Sequence, residues 1–95
     1  TAAAFIALRQ AKDLQILDVR SKSEWDRGHL SDAKRVLLGK LLEDPLPFKR
    51  DEPLYVHCQS GVRSAVAIGA LEERGFKKIV NILGGYTAIE KILNE

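Results

Sequence analysis

The sequence predicts an α/β fold in which a mostly parallel sheet of four to five short strands carries helices on both faces. Three apolar runs suited to strands, Leu14–Val19, Leu54–His57 and Ile79–Leu83, alternate with segments of helical spacing. Strands that alternate with helices are joined by right-handed crossovers and pair in parallel. With 95 residues, the chain is expected to form one compact unit, residues 1–95, since domains typically hold about 100 to 150 residues.

The first half of the chain begins with a predicted helix over Ala2–Gln10, where large apolar residues stand among alanines. Leu14–Val19 follows as a short, mostly apolar run, which is typical of a strand covered on both faces. Ser21 and Glu24 have the spacing of a capping box, so a second short helix is expected to begin there and to end at Gly28.

The middle of the chain is less regular. Val36–Leu38 is interpreted as a brief strand or turn and Lys40–Glu43 as a helical turn, and prolines up to Pro53 mark an irregular connection. Leu54–His57 is a β-branched and aromatic run that predicts a strand. Cys58–Arg63 follows it as a glycine-containing loop.

The last third alternates again. Ser64–Arg74 is apolar at helical spacing, and Gly75 is expected at the C-cap. Ile79–Leu83 predicts another strand, and Tyr86–Asn94 predicts a closing helix. Between them, Gly84–Gly85 is expected to form a sharp turn that approaches the carboxyl edge of the sheet. In parallel sheets ligands bind at the carboxyl ends of the strands, and the loop that starts at Cys58 lies at one of those ends.

Charge and composition exclude several classes of function. The net charge is +2, and the basic residues occur only as scattered pairs, so a nucleic-acid-binding stripe is not expected. The apolar runs are shorter than the roughly 18 to 20 residues of a membrane span, and the N-terminus lacks the pattern of a signal peptide. The expectation is a cytoplasmic protein without a membrane or nucleic-acid partner.

The chain contains one cysteine and no methionine, and it begins with Thr1. A lone cysteine without an export signal indicates a reducing compartment, and any disulfide it formed would need a thiol from another molecule or domain. The missing methionine suggests an excised piece of a longer protein, or a processed product.

The segment Cys58-Gln59-Ser60-Gly61-Val62-Arg63-Ser64 joins a strand end to a helix start. Successive backbone N–H groups can converge there on the sulfur, and the helix dipole favours negative charge at the same point. Cys58 is therefore a candidate nucleophile, with Gly61 allowing a tight turn and Arg63 adding a planar cation for an anionic substrate. The alternative is a buried, inert thiol.

Motifs on both sides of this loop accompany it in order. Before it stand Asp18-Val19-Arg20, Glu24-Trp25, Gly28-His29-Leu30 and Ala33, and after it Gly75-Phe76, Val80, Leu83 and Gly84-Gly85. Together they resemble the signatures of the rhodanese family of sulfurtransferases from Ile16 to Tyr86, and the Cys58 loop resembles the family's active-site loop. Three departures lie outside the loop: Asp32 replaces the usual glycine, the proline often found a few residues later is absent, and Ile89 stands where an aromatic residue is common.

The resemblance implies a ping-pong sulfur transfer. Cys58 would attack a sulfane sulfur of thiosulfate, a polysulfide or a low-molecular-weight persulfide, and a thiol or cyanide would collect the sulfur. Backbone N–H groups of the substrate-binding residues Gln59, Ser60, Gly61, Val62, Arg63 and Ser64 would stabilise the persulfide, and Arg63 would orient the donor. No metal or organic cofactor is expected. The alternative is a non-catalytic or partner-dependent module, a sulfur carrier or redox sensor, fused to another enzyme.

Phosphatase or arsenate reductase activity is a further, less favoured alternative. Related loops that bind phosphate or arsenate generally have one residue more between the cysteine and the arginine than the four found here. A smaller ring suits sulfur better than phosphate.

The remaining polar and aromatic residues have structural interpretations. Neighbouring strand residues point to opposite faces, so His57 is not expected to act as a direct general base for Cys58. It is expected instead to be packed and hydrogen-bonded. His29 is expected to brace the turn after the second helix, and the spacing of the two histidines and Cys58 does not suit a zinc site. Asp18 and Arg20 are expected to form an internal ion pair that fixes the loop. Trp25 and Tyr86 are interpreted as core or rim aromatics.

Overall fold

Helices and strands alternate in the structure, a computed structural model that describes residues 1–43 and 45–94. The helices are α1 (Ala2–Ala11), α2 (Lys22–Arg27), α3 (Val62–Glu73) and α4 (Gly85–Leu93), with a short 3₁₀ helix at Leu38–Lys40. The strands are β1 (Gln15–Asp18), β2 (Lys34–Arg35), β3 (Leu54–His57) and β4 (Ile79–Asn81). None of the helices in these residues is long and apolar enough to cross a membrane.

The four strands form one parallel sheet in the order β2-β1-β3-β4. In the register of the two central strands, Asp18 of β1 lies opposite His57 of β3. The next residues continue the pairing, since the Val19 N–H donates to the His57 carbonyl at 3.1 Å. Because both strands end at the same edge of the sheet, the residues that follow β1, Val19 and Arg20, lie beside those that follow β3, Cys58 and Gln59.

Both faces of the sheet are covered by helices. Alternate strand residues point to opposite faces, so Ile16 and Leu17 of β1 belong to two different apolar clusters. One cluster packs α1 and α4 against the sheet, and the other packs α3 together with the segment around Leu41. This arrangement confirms the predicted α/β fold with a parallel sheet between helices.

Several element boundaries differ from those that the sequence predicts. The strand expected at Val36–Leu38 lies two residues earlier, at Lys34–Arg35, because these residues pair with the end of β1. The expected helical turn at Lys40–Glu43 begins at Leu38 instead. The predicted helix start at Ser64 is wrong by one half-turn, since α3 begins at Val62 directly after the left-handed Gly61. Its C-cap is Arg74, and Gly75 follows it.

Two of the three departures from the family motifs, Asp32 and Ile89, are accommodated by local contacts. Asp32 accepts two hydrogen bonds from Nε of Arg9, at 2.8 and 2.9 Å, which tie α1 to the turn before β2. Ile89 is fully buried in the cluster between α4 and the sheet. Both residues therefore have structural roles away from the Cys58 loop.

Candidate active site

The Cys58 loop connects the end of β3 to the first turn of α3. Cys58 directly follows the strand, and Gly61 precedes the helix with φ +114°, a conformation that favours glycine. This turn aims the Gly61 N–H back at the cysteine, 2.9 Å from Sγ. One amide of the loop, that of Gly61, therefore donates to the sulfur.

A hydroxyl group completes the surroundings of the sulfur. The Cys58 thiol donates to Oγ of Ser64 at 3.6 Å, and the Ser64 hydroxyl in turn donates to the Gly61 carbonyl at 3.1 Å. When the thiol ionises, this hydroxyl can turn from the carbonyl and donate to the sulfur. Ser64 is fully buried, and Cys58 is only 1% exposed. The thiol is thus enclosed and belongs to an apolar cluster, as in the alternative interpretation, but the Gly61 N–H and the Ser64 hydroxyl also contact it.

Two opposing influences set the pKa of the thiol. Burial raises the pKa of Cys58 and is the largest single influence. The Ser64 hydroxyl and the backbone N–H groups of Ser64, Gly61 and Ser60 lower it. The hydrogen bonds together outweigh burial, so the pKa lies below its ordinary value. The lowered pKa favours the thiolate, which is the reactive form of cysteine.

Arg63 is bound by a carboxylate of this chain. Its two terminal nitrogens each donate to one oxygen of Glu24, both at 2.7 Å. The hydrogen bond from Arg63 lowers the pKa of Glu24 from 4.5 to about 2, so the carboxylate stays ionised. The guanidinium of Arg63 is therefore paired with Glu24 beside the loop. The sequence interpretation had assumed an unpaired cation at this position.

Glu24 has two roles at once. It is the N3 residue of the capping box of α2, where its Oε1 accepts from the Ser21 N–H and hydroxyl at 3.1 and 3.0 Å. The same oxygen accepts from Arg63. The sequence indicates the capping box but not the second role, because Arg63 is 39 residues away along the chain.

Arg20 and Asp18 form the expected internal ion pair. The Asp18 carboxylate accepts from the backbone N–H, Nε and Nη2 of Arg20 at 2.8 to 3.0 Å, and both side chains are at most 1% exposed. Arg20 also donates to Oε1 of Gln59 at 2.9 Å and to the Gly28 carbonyl at 2.8 Å. The pair thereby fixes the residue that follows Cys58.

The beginning of α4 holds the loop from the other side. The N–H groups of Tyr86 and Thr87 donate to the carbonyls of Cys58 and Gln59 at 2.8 and 3.0 Å. Gly85 lies so close that an added Cβ would be 2.5 Å from the Cys58 oxygen. The predicted approach of the Gly84–Gly85 turn to the sheet edge is confirmed, and it allows this contact.

The predicted substrate-binding residues face different surroundings. Gln59 is held by Arg20 and, through its amide nitrogen, by Oγ1 of Thr87 at 3.0 Å. Ser60 is exposed, and the side chain of Val62 is 73% exposed. The largest influences that lower the pKa of the Cys58 thiol come from the Ser64 hydroxyl and from backbone groups of Ser64, Gly61 and Ser60.

The two histidines have structural surroundings. His57 is fully buried, and its Nδ1 donates to the Cys58 carbonyl at 3.1 Å, since a carbonyl only accepts. Burial lowers the pKa of His57 more than the Asp18 charge raises it, which favours the neutral ring. His29 stacks on Trp25 with ring centroids 3.6 Å apart, and its Nδ1 lies 2.7 Å from the Trp25 carbonyl.

A pocket of about 300 Å³ opens beside the loop. It lies next to Gln59, the residue after Cys58, and its other lining residues are Arg20, Glu24, Arg27, Gly28, Tyr86 and Glu90. Within residues 1–43 and 45–94, no group of three or more His, Cys, Asp or Glu side chains is arranged to hold a metal ion.

Relatives identified by sequence include proteins named for sulfur chemistry. "Uncharacterized protein YqhL" of Bacillus subtilis is 35% identical over 72 residues, and "Putative sulfur carrier protein YrkF" of the same strain is 31% identical over 74. Thiosulfate sulfurtransferase GlpE of Coxiella burnetii is 29% identical over 79 residues, which cover 83% of this chain and 74% of GlpE. The alignments cover 76% and 78% of this chain but only 57% and 40% of YqhL and YrkF.

Solved structures have the same fold. A rhodanese-related protein of Thermoplasma volcanium superimposes with a TM-score of 0.83 at 28% identity, over 96% of this chain and 88% of that protein. Bacillus anthracis CoADR-RHD has a TM-score of 0.84 at 25% identity, over 98% of this chain but 16% of its own length. A NAD-dependent persulfide reductase of A. fulgidus has a TM-score of 0.66 at 35% identity, covering 78% of this chain and 13% of the reductase.

The family assignment follows from the whole length of the chain. The family model described as "Rhodanese-like domain" matches residues 1–92, and this range contains the sheet, the Cys58 loop and the ion pairs that hold it. Domains of this kind also occur as parts of larger enzymes, as the persulfide reductase shows. The chain therefore belongs to the rhodanese-like domain family.

Proposed function

We propose that the chain is a sulfurtransferase that carries a sulfane sulfur as a persulfide on Cys58. The observation that supports this most directly is the Gly61 N–H, 2.9 Å from Sγ. Together with the Ser64 hydroxyl and neighbouring amides, it lowers the pKa of the thiol despite burial. A relative named thiosulfate sulfurtransferase, 29% identical over 79 residues, supports the same reaction class.

The proposed reaction has two balanced steps. The Cys58 thiolate attacks the outer sulfur of thiosulfate, the S–S bond of the donor breaks, and its electron pair leaves with sulfite. With a persulfide donor, the leaving group is the donor's thiolate. In the second step an acceptor thiolate or cyanide attacks the outer sulfur of the Cys58 persulfide, and the electron pair returns to Cys58. Neither step needs a metal or an organic cofactor.

The loop amides stabilise the anion in both states. The Gly61 N–H donates to Sγ at 2.9 Å, the backbone N–H groups of Ser60 and Ser64 also lower the pKa of the thiol, and the helix dipole of α3 acts in the same direction. Since the persulfide also carries its charge on sulfur, the same donors suit it. Their geometry is fixed by the turn at Gly61, so little reorganisation accompanies the transfer.

Arg63 contributes hydrogen bonds more than net charge. A guanidinium has five N–H donors, and Glu24 uses two of those of Arg63. The remaining N–H groups of Arg63 are available to orient an anionic sulfur donor, but the negative charge of Glu24 weakens the attraction between Arg63 and that anion. The same pairing disfavours phosphatase or arsenate reductase activity, because a phosphate dianion needs the full positive charge.

Intact-mass spectrometry tests the first step. Incubation with thiosulfate, and separately with glutathione persulfide, should add about 32 Da, one sulfur atom, to the wild-type chain. Cys58→Ala should show no adduct. Subsequent addition of cyanide or a thiol should remove the added mass. If the Cys58→Ala chain gains the same mass, or the wild type gains none from either donor, the proposal is wrong.

A partner-dependent sulfur carrier is the second candidate function. Cys58 is only 1% exposed, and a relative that is 31% identical is named as a sulfur carrier. Such a module would deliver its sulfur to an associated enzyme domain and not to a free small-molecule acceptor. A multiple-turnover thiosulfate:cyanide assay separates the two: a carrier accepts one sulfur but forms thiocyanate only slowly, whereas a transferase continues past the first turnover.

A further inference from the structure

The pocket beside the Cys58 loop is lined by charges that cancel. Its charged residues are two arginines, Arg20 and Arg27, and two glutamates, Glu24 and Glu90. A pocket built for a simple dianion such as thiosulfate would present an excess of positive charge. The balanced lining of this pocket instead favours a ligand that carries both signs.

Two of the four charges are already bound within the protein. Arg20 is buried against Asp18 and donates to Gln59, and the Glu24 carboxylate holds Arg63. These groups shape the wall of the pocket but have little remaining electrostatic attraction for a ligand, since their charges are neutralised by close partners.

The other two charges have no ion-pair partner among the described residues. Arg27, at the end of α2, donates only its Nε to the Ser23 carbonyl, at 3.4 Å, and this leaves its terminal N–H groups free. The side-chain carboxylate of Glu90, on α4, has no hydrogen-bond or ion-pair partner among residues 1–43 and 45–94. Both side chains are exposed at the same pocket, and they do not pair with each other.

We infer that this pocket binds the amino-acid head group of a low-molecular-weight thiol or persulfide. The terminal N–H groups of Arg27 match a carboxylate, and the carboxylate of Glu90 matches an ammonium. The inference rests on the proposed function and specifies its substrate class. A volume of about 300 Å³ is at the lower end of the range for small-molecule sites, which suits an amino-acid-sized ligand.

The place of the pocket fits the transfer step. It is lined by Gln59, whose backbone directly follows Cys58, and a persulfide extends the cysteine by about 2 Å. A head group held there presents its own sulfur to the loop. The thiolate of the bound acceptor attacks the outer sulfur of the Cys58 persulfide, that S–S bond breaks, and the electron pair remains on Cys58.

The binding part of the test needs no catalysis. The unreactive Cys58→Ser chain is titrated by NMR with S-methylcysteine, which has both charges, with its N-acetyl form, which lacks the cation, and with S-methylcysteamine, which lacks the carboxylate. We expect the amide signals of Gly28, Gln59 and Tyr86 to shift with the first compound and to respond more weakly to the other two. Equal responses to all three compounds overturn the inference.

The transfer part uses acceptors that differ only in the head group. A chain loaded with one sulfur is reacted with cysteine, N-acetylcysteine or cysteamine, and each rate is divided by the thiolate concentration of the acceptor. An exposed ion pair is worth up to about 1 kcal/mol, so cysteine should react about two- to fivefold faster than either analogue. Glu90→Gln should remove the advantage over N-acetylcysteine, and Arg27→Gln the advantage over cysteamine.

Matched controls lie on the same or neighbouring helices. Lys91→Gln and Glu73→Gln each remove one exposed charge outside the pocket and should retain both preferences. If all variants and controls behave alike, or if the wild type transfers sulfur equally to the three acceptors, the head-group site is disproved while the proposed function stands. If the wild type takes up no sulfur at all, the proposed function fails, and the NMR titration alone decides the binding site.

Discussion

Replacing Ser64 by alanine should make the Cys58 thiol less acidic while leaving the fold intact. The substitution removes the hydroxyl that lies 3.6 Å from Sγ but keeps the Ser64 backbone N–H and the turn at Gly61. The Gly61 carbonyl loses the hydroxyl as a donor but still accepts from the Ala65 N–H at 3.4 Å. No buried group is therefore left without a hydrogen bond by the change.

The size of the effect follows from the interaction that is lost. A hydrogen bond to a charged group is worth about 1.5 to 3 kcal/mol. The Ser64 hydroxyl must turn from the Gly61 carbonyl to donate to the thiolate over a long contact of 3.6 Å, so its contribution is expected at the lower end, about 1.5 kcal/mol. Since about 1.4 kcal/mol corresponds to a tenfold change, the thiolate-to-thiol ratio should fall about tenfold at pH values below the pKa.

The pH dependence of alkylation measures this ratio. The rate with iodoacetamide follows the thiolate fraction, so its inflection should move to higher pH in Ser64→Ala. The 1% exposure of Cys58 limits the plateau rate but not the position of the inflection. Ser60→Ala is the matched control, because Ser60 acts on the sulfur through its backbone N–H, which the substitution retains. If both variants shift alike, or neither shifts, the hydroxyl does not set the acidity of the thiol.

Outcomes for five further substitutions are expected in urea unfolding. Gly85→Ala should destabilise by more than about 1 kcal/mol, since φ is +58° and the added Cβ would be 2.5 Å from the Cys58 oxygen. Gly69→Ala, with open space around it, should instead stabilise α3 by about 0.5 to 1 kcal/mol. Asp18→Ala should lower the free energy of unfolding by about 3 to 5 kcal/mol, because it leaves the buried Arg20 unpaired. Asp32→Ala should lower it by less than about 1 kcal/mol, because the Asp32 side chain is 41% exposed. Glu24→Gln should lower the free energy of unfolding at neutral pH. The folded-state pKa of Glu24, about 2, lies below 4.5, so the wild-type advantage is full above about pH 4.5 and disappears as the pH falls towards 2.

Each of these outcomes has a result that contradicts its reasoning. A tolerated Gly85→Ala would mean that the loop and α4 are not in close contact. Similar losses for Asp18→Ala and Asp32→Ala would mean that burial does not distinguish the two ion pairs. If Glu24→Gln lowers the free energy of unfolding by the same amount from pH 7 to pH 2, the charge of the carboxylate does not account for the stabilising contact with Arg63.

The sequence predicts the elements whose signals are local. The β3 strand, the Cys58 loop and the capping box at Ser21 are confirmed, because β-branched residues, a glycine turn and a hydroxyl–carboxylate pair act within a few residues. The position of β2 was wrong, since its two residues are polar at the surface and are defined by pairing with the end of β1. Strand pairing of this kind leaves no periodic pattern.

The partner of Arg63 could not be predicted for a related reason. Glu24 has a sufficient local explanation as a capping residue, and only the parallel sheet brings α2 beside the Cys58 loop. The sequence interpretation therefore assigned Arg63 a free charge. The contact between Gly85 and the Cys58 carbonyl was better indicated, because a pair of glycines after a strand signals a close backbone approach.

The contacts that hold the loop are separate from those that act on the sulfur. The β1 end fixes the Gln59 side chain, α2 fixes Arg63, and the start of α4 fixes the Cys58 carbonyl. None of these three contacts involves Sγ, which receives hydrogen bonds only from groups inside the loop turn. Substitutions in the supports should therefore change stability first, and substitutions at Ser64 should change reactivity first. This separation allows the rim of the pocket, at Arg27 and Glu90, to vary its ligand without altering the acidity of the thiol.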